Sequence, residues 1–247
     1  MSTFTWLVLI WIAVAVITFP FLLRLRVPYG RHTTTGWGPM IDNRWGWFWM
    51  ELPALLIFPL MVVFGPREKD ALTWLLLLLW TVHYVNRTLI FPFRLKTSGK
   101  KMPLLIAVSA VCFNGVNGAI NGWWLGFAAP PDRAFPDALA FIGAALFVTG
   151  MLINLRADAR LIALRERGDG YKIPRGGLFE RISCPNHFGE ILEWTGFALA
   201  AWSLPAFSFA LWTFINLSPR AQNHHAWYRE RFAEYPRERK AVIPYLW

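Results

Sequence analysis

The sequence predicts an all-α membrane protein that crosses the bilayer seven times. Of its 247 residues, 55% are hydrophobic and only 16% are charged, and apolar runs recur along the whole chain. A soluble domain usually has about a quarter of its residues charged, whereas a bilayer core of ~30 Å needs about 20 apolar residues per helix. The composition therefore argues against a soluble enzyme or a disordered chain. The net charge of +10 does not indicate nucleic-acid binding in so apolar a chain, and we expect no nucleic-acid partner.

The predicted spans are seven apolar runs separated by polar loops. They are Phe4–Leu23, Trp47–Phe64, Ala71–Phe93, Met102–Phe127, Asp137–Leu155, His187–Ser203 and Ala206–Leu217. The first run lacks a basic flank and a small-residue cleavage site, so we expect a retained helix. The last two runs are separated by Leu204-Pro205, where proline ends a helix. No repeat or linker interrupts the chain, so residues 1–247 are predicted to be one domain.

The basic residues predict the orientation of these spans. Of 25 Lys and Arg residues, 22 fall in the first, third and fifth loops, in the tail, or at the adjoining end of the third span. The other loops hold only Arg67, Lys69 and Arg133. By the positive-inside rule the basic side is cytoplasmic, so the N-terminus faces out and the C-terminus lies in the cytoplasm. Six or eight spans would destroy this asymmetry, which supports the number seven.

Ionisable residues inside predicted spans indicate function, because they are costly in hydrocarbon. Glu51 lies near the start of the second span, whereas Tyr84 and Arg87 lie late in the third. At ~1.5 Å per residue, Glu51 and Tyr84 both fall in the inner half of the membrane. A carboxyl in apolar surroundings can donate a hydrogen bond, so a Glu–Tyr pair is suited to polarise a carbonyl oxygen. The alternative is that Arg87 snorkels and that Tyr84 is an interfacial aromatic residue.

Three further groups of polar residues have helical spacing on the predicted cytoplasmic side. They are Asn154, Asp158 and Arg165; Asn186, Glu190 and Glu193; and Arg220, His224 and Tyr228. Each group shares one helix face, and a glycine-rich segment at 168–177 lies between them. A solvated face explains any one group equally well, but together they predict a ligand with phosphates, which arginine binds in bidentate geometry.

Two other kinds of site lack their sequence signatures. Neither a G-x-G-x-x-G segment after a strand nor a Walker lysine is present, so a dinucleotide would bind outside a Rossmann fold. We also predict no metal site, because adjacent histidines such as His224 and His225 diverge on a helix.

These motifs together resemble the steroid 5α-reductase family from residue 29 to the end of the chain. The matching segments are ELP at 51–53, HY at 83–84 with RT at 87–88, NHFGEILEW at 186–194, AWSLPA at 201–206 and RKAVIPYLW at 239–247. Many separate motifs in the same order make the resemblance specific. Lys172 stands where an arginine is common, and Cys184-Pro185 and Asn86 differ from the animal members. We expect a bacterial member.

The resemblance implies a seven-helix fold, NADPH as hydride donor, and reduction of the Δ4 double bond of 3-oxo-steroids or of related flat enone lipids. It implies that Glu51 and Tyr84 bind the substrate ketone. It implies cofactor contacts from Tyr29, Arg87, Lys101, Asn154, Asp158, Arg165, Tyr171, Lys172, Asn186, Glu190, Arg220, His224 and Tyr228. The cytoplasmic loop and tail, at about 156–186 and 218–247, would then cover the cofactor.

Two other functions remain open from the sequence. A membrane methyltransferase of the isoprenylcysteine type would use S-adenosylmethionine, but it would not need an intramembrane Glu–Tyr pair, and its usual His-Pro is replaced here by Pro185-Asn186-His187. A non-catalytic sterol-binding protein would not need the cytoplasmic polar groups. We expect a monomer, located in the bacterial inner membrane or, for a eukaryotic source, in the endoplasmic reticulum.

Overall fold

Helices make up most of the structure, as predicted. The computed structural model describes residues 1–28, 30–95, 99–130, 137–166 and 170–247. Contacts divide the chain into two compact units. The first comprises Met1–Arg26, Gly143–Ala198 and Phe207–Trp247, and the second comprises Val27–Ile142 and Leu199–Ala206. Each unit is built from segments distant in sequence, which reflects helices that return to pack on earlier ones.

The second unit is built on three long helices. Its elements are a 3₁₀ turn at Gly30–His32, β1 at Met40–Asp42, α2 at Asn43–Phe64, α3 at Ala71–Val85, a π-helical turn at Asn86–Ile90, α4 at Phe91–Arg94, β2 at Lys101–Pro103, α5 at Leu104–Trp123 and a π-helical turn at Trp124–Ala128. Strands β1 and β2 pair antiparallel, with Met40 opposite Pro103 and Asp42 opposite Lys101. This small sheet corrects the strictly all-α prediction, because two strands of three residues are too short to show a period in the sequence.

The first unit contains most of the remaining helices. They are α1 at Thr3–Arg24, α6 at Ala138–Glu166, a 3₁₀ turn at Gly177–Glu180, α7 at Pro185–Ala201 and α8 at Leu204–Arg231. Helix α6 continues past the predicted end at Leu155, so Asn154, Asp158 and Arg165 lie on one helix. Helix α8 likewise continues past Leu217 and carries Arg220, His224 and Tyr228. The helical spacing predicted for both groups is confirmed.

Polar side chains fix where several helices begin. Ser2, Asp42 and Asp70 each accept a hydrogen bond from a backbone N–H in the first turn of α1, α2 and α3. Asp137 does the same for α6, where its Oδ1 lies 2.7 Å from the N of Ala140. Such caps satisfy N–H groups that have no partner within the helix, so each of these four helices begins at a polar residue recognisable in the sequence.

The chain is a multi-pass membrane protein by the length and composition of its helices. Five helical segments in the described part of the chain are long and apolar enough to cross a bilayer: Thr3–Arg24, Asn43–Phe64, Ala71–Arg94, Leu104–Ala128 and Ala138–Arg165. These correspond to the first five predicted spans. Helix α7 has only 17 residues, and the second half of α8 is polar, so neither belongs to this group.

Glycines allow α5 to approach α2 closely within the second unit. Gly118, Gly122 and Gly126 recur every four residues and so share one face of the helical segment. A Cβ added at Gly122 would lie 2.9 Å from the Cβ of Met61 and 3.2 Å from the Cα of Phe58. Small residues at this spacing permit close helix packing in membranes, so the side chains that flank the glycines meet across the interface.

Glycines also allow α6 and α7 to pack closely in the first unit. A Cβ added at Gly189 of α7 would lie 2.6 Å from both the N of Asn154 and the O of Gly150 on α6. Gly150 faces the backbone of Gly189 and Glu193 in return. The two backbones are therefore in direct contact, and no side chain larger than hydrogen fits between them.

Arg67 holds the connection between α2 and α3. Its guanidinium donates to Thr73 Oγ1 at 2.8 Å and pairs with Asp70 at 3.1 Å, and it reaches the carbonyl of Leu125 at 3.4 Å. Burial tends to raise the pKa of Asp70, but hydrogen bonds from Thr73 and the charge of Arg67 outweigh it and hold the pKa below the ordinary aspartate value. Arg67, one of the few basic residues of the even-numbered loops, thus has a structural role.

The C-terminal tail is tied to the start of α7 by a buried polar network. Ser183 Oγ lies 2.6 Å from His225 Nδ1 and 2.6 Å from the Tyr235 hydroxyl. Backbone hydrogen bonds join Ser183 to Lys240 at 2.9 Å and Cys184 to Ala241 at 3.1 Å. Burial lowers the pKa of His225, and the positive charges of Arg229 and Lys240 lower it further. Burial also raises the pKa of the Tyr235 hydroxyl.

We predict that Gly150→Ala lowers the melting temperature of the purified protein. Overpacking a tight interface costs about 1–3 kcal/mol, which corresponds to roughly 2–4 °C per kcal/mol at this size. The measurement is thermal unfolding in detergent followed by tryptophan fluorescence. Gly115→Ala on α5 is the matched control, because its new Cβ would meet only Ile57 Cδ1 at 3.9 Å. An unchanged melting temperature for Gly150→Ala would contradict the backbone contact.

We predict that mild acid destabilises the tail through His225. Its pKa in the folded protein lies below the ordinary value of 6.5, so the unfolded chain binds more protons. The corresponding stability is fully present above pH 6.5 and is lost as the pH falls through the folded pKa. Melting temperatures measured between pH 8 and pH 5 should therefore fall less steeply for His225→Asn than for the wild type. Equal slopes would show that His225 does not carry this linkage.

Candidate active site

The carboxyl group of Glu51 is buried among helices α2, α3 and α5 of the second unit. Only 9% of the residue is exposed. The Asn114 amide nitrogen donates to Glu51 Oε2 at 3.1 Å and also to the carbonyl of Met50 at 2.6 Å. Arg87 Nη2 lies 3.6 Å from Glu51 Oε1. A charged group in such surroundings needs partners of this kind, and Glu51 has one on each oxygen.

Arg87 reaches Glu51 from the π-helical turn that follows α3. Its guanidinium lies over the rings of Trp47 at 5.0 Å and Phe91 at 4.8 Å from the centroids. Cation–π contacts of this kind stabilise a partly desolvated arginine. A π-helical turn adds a residue to the helical repeat and is frequent at functional sites. Because Arg87 is directed inward onto Glu51, the snorkelling alternative for this residue is wrong.

Tyr84 lies one helical turn before Arg87 and is only 3% exposed. Trp80, one turn earlier, donates from Nε1 to the carbonyl of Ala54 at 2.9 Å and stacks on Phe58 with centroids 4.1 Å apart. Its ring also lies 5.1 Å from that of Tyr84. The interfacial alternative for Tyr84 is therefore wrong, because the side chain is packed inside the helix bundle.

The contacts of α3 with α2 follow an antiparallel register. Trp80 meets Ala54 on α2, and Arg87, further along the chain, meets Glu51, which lies earlier on α2. Tyr84 stands between Trp80 and Arg87, so this register puts it between the levels of Ala54 and Glu51. Glu51 and Tyr84 are therefore buried side chains of two helices that pack together, and their shared depth stays a prediction.

A second cluster of predicted residues forms in the first unit, where α6 touches α7. The Asn154 amide nitrogen donates to the carbonyl of Asn186 at 3.0 Å and lies 3.5 Å from Glu190 Oε2. Asp158, one turn further along α6, is also buried. The backbone contact at Gly150 and Gly189 makes this cluster possible, since it leaves the two polar stripes facing each other.

Aromatic rings extend the cluster toward α8. The guanidinium of Arg165 lies 5.9 Å from the ring of Tyr171, which packs edge-on against Trp227 at 5.0 Å. Trp227 in turn contacts Tyr228 at 5.3 Å. Near the start of α7, the rings of His187 and His224 are 5.7 Å apart. Arg220 and Lys172, the remaining cationic residues of the predicted set in this unit, are half-buried.

The segment that carries Tyr171 is held by a buried arginine from the tail. The side chain of Arg239 has 0% exposure, and it donates to the carbonyl of Pro174 at 3.0 Å and to Glu180 Oε2 at 3.3 Å. The backbone N–H of Gly176 also bonds to Glu180. That hydrogen bond holds the pKa of Glu180 below its usual range, and the charges of Arg239 and Arg175 act in the same direction. The tail thereby fixes the loop between α6 and α7.

Some predicted cofactor residues lie elsewhere. Tyr29 is outside the described residues. Lys101 is exposed on β2, opposite Asp42. Arg87, also predicted to contact the cofactor, pairs with Glu51 in the second unit. All other predicted cofactor residues belong to the first unit.

Sequence reasoning missed several residues that shape both clusters. The asparagines of α5, at 114, 117 and 121, are polar residues inside a predicted span, and this was the available signal for Asn114. Trp80 and Arg239 gave no comparable signal, because tryptophan is common in membrane helices and the tail is rich in arginine. Their roles depend on partners that are far away in sequence.

Comparison with known proteins supports the family resemblance found in the sequence. A family model described as 3-oxo-5-alpha-steroid 4-dehydrogenase matches residues 100–247. A steroid 5-alpha-reductase from Gossypium hirsutum is 41% identical, over 95% of this chain and 93% of the relative. A 3-oxo-5-alpha-steroid 4-dehydrogenase from Homo sapiens is 44% identical over 88% of this chain and 85% of the relative, and one from Macaca fascicularis is 44% identical over 88% and 84%.

The similarity extends over nearly the whole chain and includes Glu51, Tyr84 and the polar stripes of α6, α7 and α8 in its range. It favours the reductase over the methyltransferase and over a binding protein without catalysis. The family is an oxidoreductase family, which is consistent with a nicotinamide cofactor. This chain is therefore an enzyme that belongs to the steroid 5-alpha-reductase, or 3-oxo-5-alpha-steroid 4-dehydrogenase, family.

Proposed function

We propose that this enzyme reduces the Δ4 double bond of 3-oxo-steroids to 5α-3-oxo-steroids with NADPH as the hydride donor. The single observation that carries the proposal is a carboxyl group, Glu51, buried in an apolar helix bundle and held by Asn114 and Arg87. Polar groups so placed suit a flat lipid that has one polar end. The names of the relatives support a steroid as that lipid.

The residues of the first unit suit the proposed cofactor. Arg165 and Arg220 have the forked donors that bind phosphate oxygens, and Tyr171 offers an aromatic ring beside Arg165. Asn154 and Glu190 provide amide and carboxylate groups for hydrogen bonds to a carboxamide. The loop and tail at about 156–186 and 218–247 cover the cofactor in this proposal, and the Arg239 clamp keeps the loop in place. Tyr29, Arg87 and Lys101 remain proposed additional contacts.

The chemistry assigns separate roles to the two residues at the ketone. Tyr84 donates a hydrogen bond to the ketone oxygen, and Glu51 in its protonated form donates a second one to the same oxygen. Negative charge accumulates there when the β-carbon of the enone is reduced, and donors already in place stabilise the enolate without reorganisation. The cofactor supplies the hydride when it is bound. The proton that completes the product at the α-carbon comes from water or from Tyr84.

The proposed membrane arrangement has seven spans. Helices α7 and α8 add two spans to the five long apolar helices, α8 through its apolar first half. The basic loops then face the cytoplasm and the N-terminus faces the outside. The three proposed cofactor stripes, on α6, α7 and α8, and the basic tail lie on the cytoplasmic side, where NADPH is available. The protein acts as a monomer in the bacterial inner membrane or in the endoplasmic reticulum, according to its source.

We predict that the purified enzyme consumes NADPH in the presence of testosterone or progesterone and releases the 5α-reduced steroid. Glu51→Gln and Tyr84→Phe should each lower kcat by about 10²–10³, the usual cost of removing one group that stabilises the oxyanion. The measurements are NADPH absorbance and mass spectrometry of the steroid. Glu230→Gln and Tyr245→Phe, at exposed positions, are the matched controls.

Two results would overturn parts of this proposal. Methyl transfer from labelled S-adenosylmethionine without reduction of any enone would exclude the reductase. Full activity of both Glu51→Gln and Tyr84→Phe would exclude their assigned roles while leaving the reaction itself intact.

We predict that Arg165→Gln raises the KM for NADPH about 10- to 100-fold, because a hydrogen bond to a charged group contributes roughly 1.5–3 kcal/mol. The KM for the steroid should change much less. Steady-state kinetics with each substrate varied in turn measures both. Arg156→Gln is the matched control, since Arg156 is exposed on the same helix. Equal effects of the two substitutions would argue against a phosphate contact at Arg165.

A further inference from the structure

We propose that Asn114 is a positioning residue that fixes the direction of the Glu51 carboxyl group. This inference rests on the proposed function, because it concerns how Glu51 is presented to the substrate ketone. Asn114 is buried on α5 and donates to Oε2 of Glu51, whereas Arg87 pairs with Oε1. In this proposal Asn114 acts by positioning Glu51 and does not itself contact the substrate.

The geometry is that of a two-point clamp on α2. An amide NH₂ group has two hydrogens to donate, and Asn114 directs them to the carbonyl of Met50 at 2.6 Å and to Glu51 Oε2 at 3.1 Å. The two acceptors belong to consecutive residues, one of the backbone and one of a side chain. The first hydrogen bond anchors the amide to α2, and the second then determines where Oε2 lies.

The carbonyl of Met50 and the glycine face of α5 make this clamp possible. A backbone carbonyl has two lone pairs, so that of Met50 can accept from Asn114 in addition to a hydrogen bond within α2. Asn114 precedes Gly118 by four residues and Gly122 by eight, so it shares the face on which α5 approaches α2.

The other asparagines of α5 show that this contact is specific to Asn114. The amide nitrogen of Asn117 donates to the carbonyl of Phe113 at 3.0 Å, and that of Asn121 donates to the carbonyl of Asn117 at 3.0 Å. Both acceptors are one turn back on α5 itself. Asn114 instead donates across the interface to α2.

The two oxygens of Glu51 therefore have different partners. Arg87 lies 3.6 Å from Oε1, whereas the Asn114 amide bonds to Oε2. Arginine readily binds both oxygens of one carboxylate, so Arg87 would compete for Oε2 if the Asn114 amide were absent. A rotation toward Arg87 would change the direction in which Glu51 is presented to the substrate ketone. A neutral donor at Oε2 prevents it without adding a second positive charge.

The test compares Asn114→Leu, which removes the donor at similar volume, with Asn114→Asp. We expect Asn114→Leu to lower kcat about 10- to 100-fold, as for a buried polar group that loses its hydrogen-bond partner, with the KM for NADPH unchanged. Asn114→Asp should be equally impaired at pH 8 and should recover several-fold toward pH 5.5, because a protonated aspartate can again donate to Glu51. Asn121→Leu and Asn121→Asp are the matched controls, because the hydrogen bond from the Asn121 amide to the carbonyl of Asn117 stays within α5.

The possible results of this experiment separate the positioning role of Asn114 from the proposed reaction. Recovery in acid by Asn114→Asp, absent in the wild type and in Asn121→Asp, supports the positioning role. Wild-type kcat and pH profile in the Asn114 variants, or equal losses at positions 114 and 121, overturn it while leaving the proposed reaction standing. Absence of enone reduction by the wild type overturns the proposed function instead. Unchanged NADPH affinity, together with an unchanged melting temperature, shows that a variant is folded.

Discussion

Direct contact between helix backbones is the constraint on which both clusters of polar residues depend. At Gly122 a single added carbon would lie 2.9 Å from Met61, and at Gly189 it would lie 2.6 Å from the backbone of α6. In a bilayer, helices gain little from the hydrophobic effect and associate through close packing and hydrogen bonds. The same glycines that let the helices touch bring Asn114 to Glu51 and Asn154 to Asn186. The glycine contacts therefore account both for the close packing of the helices and for the two clusters of polar residues.

Burial of a carboxyl group among apolar helices is costly unless each oxygen has a partner. In the second unit, α5 supplies an amide to Glu51, the π-helical turn supplies a guanidinium, and the rings of Trp47 and Phe91 lie against that guanidinium. In the first unit, a fully buried Arg239 ties the loop after α6 to the tail. Each unit thus uses an arginine as the partner of a carboxyl group.

Much of the fold was predictable because its signals are local. Apolar length identified the five long spans, and three- and four-residue spacing correctly predicted that Asn154 with Arg165, and Arg220 with Tyr228, lie on continuous helices. The partner of Arg87 was not predictable, since nothing in residues 83–88 shows that a π-helical turn directs it onto Glu51. The paired strands β1 and β2 were missed for a related reason: their partners lie about sixty residues apart, and each is too short for a period.

The sequence by itself determined that the chain is a helical membrane protein, which ionisable residues are unusual in their setting, and to which family it belongs. These properties follow from composition, hydrophobic period and the order of the motifs, which can be recognised without knowing which residues contact each other. Only the tertiary structure decided which partners these residues have: Glu51 with Asn114 and Arg87, and Tyr84 against Trp80. The physical reason is that a hydrogen bond acts over about 3 Å, and which distant residues come that close is set by helix packing rather than by local sequence.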